Sequence, residues 1–173
     1  MKIRYWLAAA LSALTFNESA LALSCMRTDI GQAMETAKSS DKLYYVLVGR
    51  FRTDRPAQPK SPYANQFETR PTTVSSAWFD GYALTPQREY DMPLKQFPLD
   101  MEIKCSGPWC GNAPASDRDQ IAFVEARPNQ SPILRISACP EWVFNVGPQQ
   151  AEIQRLRDCF DRPCEVKERP NLR

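Results

Sequence analysis

The sequence contains no histidine among its 173 residues. This absence excludes a serine–histidine or cysteine–histidine relay, a histidine general base and any imidazole metal ligand. An excess of charge of one sign is also lacking, because 22 Lys and Arg residues face 20 Asp and Glu residues and leave a formal net charge of +2. So small a charge does not gather nucleic acid. We therefore expect no nucleic-acid partner and no cofactor.

A run of apolar residues long enough to cross a bilayer, which takes about 20 residues, is missing near the N-terminus. The run from Trp6 to Phe16 is shorter and follows two basic residues, Lys2 and Arg4. This arrangement, followed by small residues, is typical of a cleaved export signal. We predict a signal peptide at residues 1–22 and an exported protein, either periplasmic or secreted.

The point of signal cleavage has two readings. Ala20-Leu21-Ala22 would place Leu23 first in the mature chain, whereas cleavage after Ser24 would place Cys25 first. Lipidation at Cys25 is a separate possibility and the one case in which we expect a membrane partner. Lipoprotein signals favour leucine three residues before the cysteine, and this chain has Ala22 there.

The mature chain of 151 residues has the size of one domain. Its content of 43% hydrophobic and 24% charged residues is enough to close a single core. We place one domain at residues 23–165 and a polar tail at residues 166–173.

Six cysteines, all after the signal, predict three disulfides in an exported chain. Six cysteines allow 15 pairings. The spacing of Cys105 from Cys110, and of Cys159 from Cys164, closes easily as a local loop, which by elimination leaves Cys25 for Cys139. A zinc site is the alternative reading, but the paired C-x2-C spacing that such sites use is absent.

The apolar pattern predicts a helix at each end and five strands between them. The first helix follows Asp29, which with Gln32 forms a possible capping box. The last helix starts near Pro148 and buries Ile153 and Leu156. The strands are predicted at residues 43–51, 73–84, 97–104, 120–127 and 133–138. The proline-rich segment 52–72 is either a functional loop or an inert insertion.

Five short strands favour a mainly β, small closed barrel over an open sheet, because closure removes the exposed edges that an open sheet would leave.

The order of motifs along residues 25–160 resembles the netrin-module family, which includes the tissue inhibitors of metalloproteases and their bacterial relatives. The resemblance rests on Cys25 after the signal, the strand at residues 45–50, Cys110-Gly111, the strand at residues 121–124 and the lone Cys139. It implies a five-stranded OB-like closed barrel, flanked by N- and C-terminal helices.

In those inhibitors an N-terminal cysteine chelates the target's catalytic zinc through its α-amino group and carbonyl, and the next side chain fills the adjacent pocket. The resemblance assigns these roles to Cys25 and Met26, provided that cleavage follows Ser24. The inhibitors carry a second cysteine where this chain has Arg27.

The predicted function is that of a binding module for an unknown protein or small ligand, with inhibition of a metalloprotease as the alternative. We expect no enzyme, because the acidic pairs Asp100 with Glu102 and Asp117 with Asp119 are typical of solvated polar faces. An aromatic binding platform is conceivable, and Trp109 joins Cys25 and Met26 as a target-binding candidate. The platform residues are Trp78, Phe79, Tyr82 and Trp109.

Overall fold

The computed structural model describes residue 25 and residues 28–53, 72–106, 109–139, 141–144 and 150–166. The predicted signal peptide, Met26 and most of the segment 52–72 lie outside these residues. The helices are α1 (Ile30–Ser39) and α2 (Gln150–Asp161). The strands are β1 (Leu43–Arg52), β2 (Thr73–Ala83), β3 (Met92–Ile103), β4 (Cys105–Ser106), β5 (Trp109–Cys110), β6 (Gln120–Ala126), β7 (Ile133–Ile136) and β8 (Val143–Phe144).

Five strands close a barrel in the order β1-β2-β3-β7-β6, with β6 returning to β1. All neighbouring pairs are antiparallel except β3 with β7, which run parallel. The fold is therefore the mainly β, OB-like closed barrel with two helices that the sequence predicts. Because β3 and β7 are parallel, their carboxyl ends meet at one end of the barrel, beside the start of β6.

The buried side chains form two clusters, one inside the barrel and one between the barrel and the helices. The interior cluster is filled from alternate positions of the strands, with Leu47, Phe79, Met101 and Leu134 fully buried. The second cluster lies between the outer face of β1 and β6 and the two helices, and it includes Val46, Val48, Ile121 and Phe123 together with Met34 and Leu156 from the helices. Alternation of side chains along a strand explains why the centre of β1 is buried on both faces.

The helices are fixed to each other by charged groups. Asp29 caps α1 by accepting a hydrogen bond from the Gly31 amide at 2.9 Å, and its carboxylate also accepts from Arg155 of α2 at 2.5 Å. Lys38 donates to the carbonyls of Cys159 and Arg162 at 2.8 and 2.9 Å. These carbonyls lie at the end of α2, where helix carbonyls lack partners within the helix. The predicted capping role of Asp29 is confirmed.

The cysteines pair as Cys25–Cys139, Cys105–Cys110 and Cys159–Cys164, the pattern expected from their spacing. Such disulfides indicate an oxidising environment. Within the part of the chain that the structure describes, neither helix has the length and apolar content needed to span a membrane.

Candidate functional site

Three features of the chain meet at the carboxyl end of β7. They are Cys25, the hairpin formed by β4 and β5, and a cleft between β7 and β8. We call this surface the Cys25 rim and define it as Cys25 with residues 105–106, 109–114, 136–139 and 141–143.

Cys25 is held against the rim by its disulfide to Cys139, which spans 114 positions of sequence. Its sulfur also lies 3.6 Å from the carbonyl oxygen of Ala138. The side chain is half-buried. Because the sulfur is bonded to Cys139, it cannot at the same time carry a thioether-linked lipid. The residues that flank Cys25, including the candidate Met26, lie outside the described part of the chain.

The hairpin projects Trp109 from the rim. Cys105 pairs with Cys110, and Ser106 with Trp109, so that the disulfide closes the base of a two-stranded turn. The Trp109 side chain is 41% exposed, which is unusual for a large aromatic group. An exposed tryptophan on a covalently closed hairpin is a feature that a binding surface can use.

Gly111 fixes the hairpin to the barrel. Its amide donates to the carbonyl of Lys104 at 3.0 Å. A Cβ at this position would come within 2.6 Å of the Ile136 side chain and 2.8 Å of the Ser137 carbonyl, so the backbone passes β7 at a distance that only glycine permits. The Cys110-Gly111 motif thus has a structural role in placing Trp109 and the wall of the cleft.

The cleft has a volume of about 140 Å³. It opens where β7 and β8 separate, since β6 pairs with β7 only at Glu125–Ile133 and with β8 at residues 121–122. Its lining is mixed, with apolar walls and a few polar groups: Asn112, Ala113, Pro114, Arg135, Ile136, Ser137, Ala138, Glu141, Trp142 and Val143. This shape and size suit one side chain or a very small ligand.

Arg135, on the wall of the cleft, lies at the centre of a charged cluster. It pairs with Glu125 and, at 2.8 Å, with Glu102, while Lys42 reaches Glu125 at 3.2 Å. Burial alone would raise the pKa of Glu125, but the hydrogen bonds from Lys42 and Arg135 outweigh it and hold this pKa below its ordinary value. The positive charge of Arg135 is therefore already compensated within the protein.

Glu141 differs from the other carboxylates of this region. It is exposed at the edge of the cleft, and no cation of the described residues forms a salt bridge with it. Since Arg135 is paired with Glu102 and Glu125, Glu141 is the charge left without a salt bridge among the described residues that line the cleft.

The four aromatic candidates do not form one platform. Phe79 is completely buried inside the barrel, and Tyr82 packs against the helix layer on the opposite face of the sheet. Trp78 is half-buried on β2, opposite Arg52, and Trp109 lies on the separate hairpin. The idea of a shared aromatic platform is therefore wrong, because successive residues of a strand point to opposite faces.

The acidic pairs are engaged in ion pairs. Asp100 pairs with Arg127, and Glu102 with Arg135. The exposed Asp117 pairs with Arg118 at 3.1 Å, and this contact lowers its pKa. In the described ranges, no three acidic or cysteine side chains are grouped so that they could hold a metal ion.

Sequence reasoning missed the cleft and two of its residues, Arg135 and Trp142. The ring of Trp142 contacts Tyr44, at 5.1 Å between centroids, and Phe123, at 6.0 Å. One signal was present, since β-rich residues resume at Val143 after Cys139, but a strand of two residues is too short for a pattern to indicate it.

No family model matches the chain, and no curated protein or solved structure shows a significant similarity to it.

Proposed function

We propose that this chain is a binding module that holds a protein partner on the Cys25 rim. The observation that carries the proposal is the convergence of three features on residues 136–139: the tether of Cys25, the hairpin that exposes Trp109, and the cleft. Tryptophan is enriched among the few residues that dominate binding energy at protein interfaces. A rim fixed by two disulfides loses little conformational freedom on binding, which favours affinity.

The compartment of this binding module is the periplasm or the extracellular space. The three disulfides support an oxidising environment, and the apolar run at residues 6–16 supports export. The proposed activity is binding without catalysis and without a cofactor. A glycosidase uses a pair of carboxylates, and Asp100 with Glu102 is the pair in this chain that we compared with it. In support of binding without catalysis, each of these carboxylates forms an ion pair with an arginine.

The test of the rim uses two exposed aromatic residues at opposite ends of the barrel. Trp109 lies on the rim, and Tyr90, 66% exposed, lies in the turn between β2 and β3. The native protein, Trp109→Ala and Tyr90→Ala are immobilised and exposed to the extracytoplasmic proteins of the organism that makes this chain. We expect one protein to be retained by the native chain and by Tyr90→Ala, and to bind Trp109→Ala at least about tenfold more weakly.

Equal retention by Trp109→Ala, or the absence of any saturable partner, would contradict the proposal. The retained protein is then purified and its affinity measured by titration, because only a defined stoichiometry distinguishes a partner from a sticky contaminant.

A second candidate function is inhibition of a zinc metalloprotease, as the netrin-module resemblance implies. The observation that favours it is the bond between Cys25 and Cys139, which holds Cys25 at the rim. If the mature chain begins at Cys25, its α-amino nitrogen and carbonyl oxygen are available to chelate a protease's zinc. The side chain of Met26 would then enter the neighbouring pocket of the protease.

The intact mass of the exported protein, before and after reduction, decides whether Cys25 comes first. A chain that begins at Cys25 is assayed against a panel of zinc metalloproteases beside the same chain carrying Leu23-Ser24 and the same chain with an acetylated α-amine. We expect inhibition by the first form alone. If all three forms inhibit equally, or none does, zinc chelation by Cys25 fails, while the binding module stays open to its own test.

A further inference from the structure

The cleft beside Cys25 has the dimensions of a pocket for one side chain. Its volume of about 140 Å³ is well below the 300 Å³ or more of pockets that take cofactors or drug-sized ligands, and close to that of cavities that hold benzene. It is too small to enclose a sugar ring with its hydroxyls or a nucleotide. A leucine, isoleucine or methionine side chain fits.

Contacts within the protein hold the walls of the cleft in place. Trp142 stacks on Tyr44 with an interplanar angle of 14°. The opposite wall is held by Gly111 against Ile136, and the loop that follows it is tied down by Gln120, whose amide donates to Ala115 at 2.7 Å. A preformed pocket binds without a cost of reorganisation.

The charges around the cleft favour a particular residue next to the apolar side chain that enters it. Arg135 is compensated by two carboxylates, so it does not attract an anion. Glu141, at the mouth, has no salt-bridge partner in the described part of the chain and is open to solvent. A ligand that matches both the cleft and Glu141 therefore carries a cation next to an apolar group.

We propose that the cleft receives a single leucine, isoleucine or methionine side chain from a surface loop of the partner protein, with an adjacent lysine or arginine facing Glu141. This proposal rests on the proposed binding function and specifies where and what the module recognises. The occupant is a protein, because an apolar side chain next to a fixed cation is a feature of polypeptides and matches both the volume and the charge of the site.

The test uses short capped peptides as probes, with no need for the natural partner. Ac-Gly-Leu-Lys-Gly-amide is compared with peptides in which Leu is replaced by Ala, or Lys by Gln. Binding is followed by the amide resonances of Ala113, Ala138 and Val143 and by the indole resonance of Trp142. We expect roughly millimolar binding of the Leu-Lys peptide, with shifts confined to these residues and at least about tenfold loss on replacing Leu by Ala.

Glu141→Gln provides the charge test, and its exposed position makes it safe for folding. This substitution should weaken the binding of the Leu-Lys peptide by about threefold and leave the binding of the Leu-Gln peptide unchanged. The reason is that a solvent-exposed ion pair contributes under about 1 kcal/mol. Glu165→Gln, at an exposed position after the end of α2, is the matched control and should change the binding of neither peptide.

The proposal is overturned if the peptides shift none of the cleft resonances, or if the Leu-Lys and Ala-Lys peptides bind equally. Those results would leave the binding module intact if a partner still depended on Trp109. If the peptides bind in the cleft but no protein partner depends on Trp109, the opposite conclusion follows. The pocket then exists, but the proposed binding function of the Cys25 rim is wrong.

Discussion

Gly49 on β1 lies directly opposite Gly81 on β2, and the tip of the Phe79 ring covers both. A Cβ on Gly49 would be 2.2 Å from the Asp80 carbonyl oxygen and 2.7 Å from the Gly81 Cα. Both glycines have positive φ angles, 156° and 158°, and the register between β2 and β3 shifts between Phe79 and Gly81. The pair lets two strands approach at a bend of the barrel wall, with an aromatic ring filling the space.

Replacing Gly49 by alanine should destabilise the protein by about 3 kcal/mol or more, since it adds both a backbone clash and an unfavourable φ. The measurement is the free energy of unfolding from urea titration. Ser76→Ala, at an exposed position of β2, is the control and should change stability little. A Gly49→Ala protein as stable as the control would mean that the strands separate here at little cost.

Removing the long disulfide should cost more stability than removing a short one. On the loop-entropy model the Cys25–Cys139 bond, which spans 114 positions, contributes about 4.8 kcal/mol, and the Cys105–Cys110 bond, which spans 5, about 2 kcal/mol. The double variants Cys25→Ser/Cys139→Ser and Cys105→Ser/Cys110→Ser are compared by denaturant unfolding under oxidising conditions. Equal losses would show that the bonds act mainly on the folded state.

The ion pair formed by Arg157 and Asp91 should make the stability of the protein depend on pH in the acid range. Arg157 is buried on α2 and donates to the Thr85 carbonyl at 2.7 Å and to both carboxylate oxygens of Asp91. Burial alone would raise the pKa of Asp91, but the hydrogen bonds from Arg157 and the Thr85 amide outweigh it and lower this pKa. A carboxylate with a lowered folded pKa adds stability above its unfolded pKa of about 4 and loses it as the pH falls through the folded value.

Arg157→Met should therefore cost about 3 kcal/mol near neutral pH, because it leaves Asp91 partly buried without its cation. The difference from the native protein should shrink as the pH falls below about 4, where Asp91 of the unfolded chain takes up a proton, and further as the pH approaches the lowered pKa of the folded state. Arg118→Met, which removes the partner of an exposed carboxylate, is the control and should have little effect. A difference in stability that stays constant with pH would show that packing of the long side chain, and not the ion pair, is what Arg157 supplies.

The features predicted well from the sequence are those set by neighbouring residues. The spacing of Cys159 and Cys164 identifies a local disulfide, and alternation from residue 97 to 103 identifies the second half of β3. The first half of β3 was missed because Pro93 suggests a loop and Gln96 takes a positive φ of 47°, which interrupts the alternation.

The features that could not be predicted depend on contacts between distant parts of the chain. β8 consists of two residues that become a strand only by pairing with Ile121 and Ala122. The cleft exists because β7 leaves β6 to join β3, and Arg135 meets Glu102 only after that crossing. A single sequence carries the pattern of each strand but not the angle at which two strands diverge, so the site was visible in part, at Cys25 and Trp109, and its cleft was not.

The bond between Cys25 and Cys139 also changes what a protease can do to this molecule. Every strand of the barrel lies between these two cysteines, so the peptide chain that forms the barrel is a covalent ring. A single cut anywhere in that ring opens it without releasing a fragment, and both new ends remain attached to the same set of paired strands. The two parts of a nicked copy would stay joined, and gel electrophoresis would reveal the cut only after reduction.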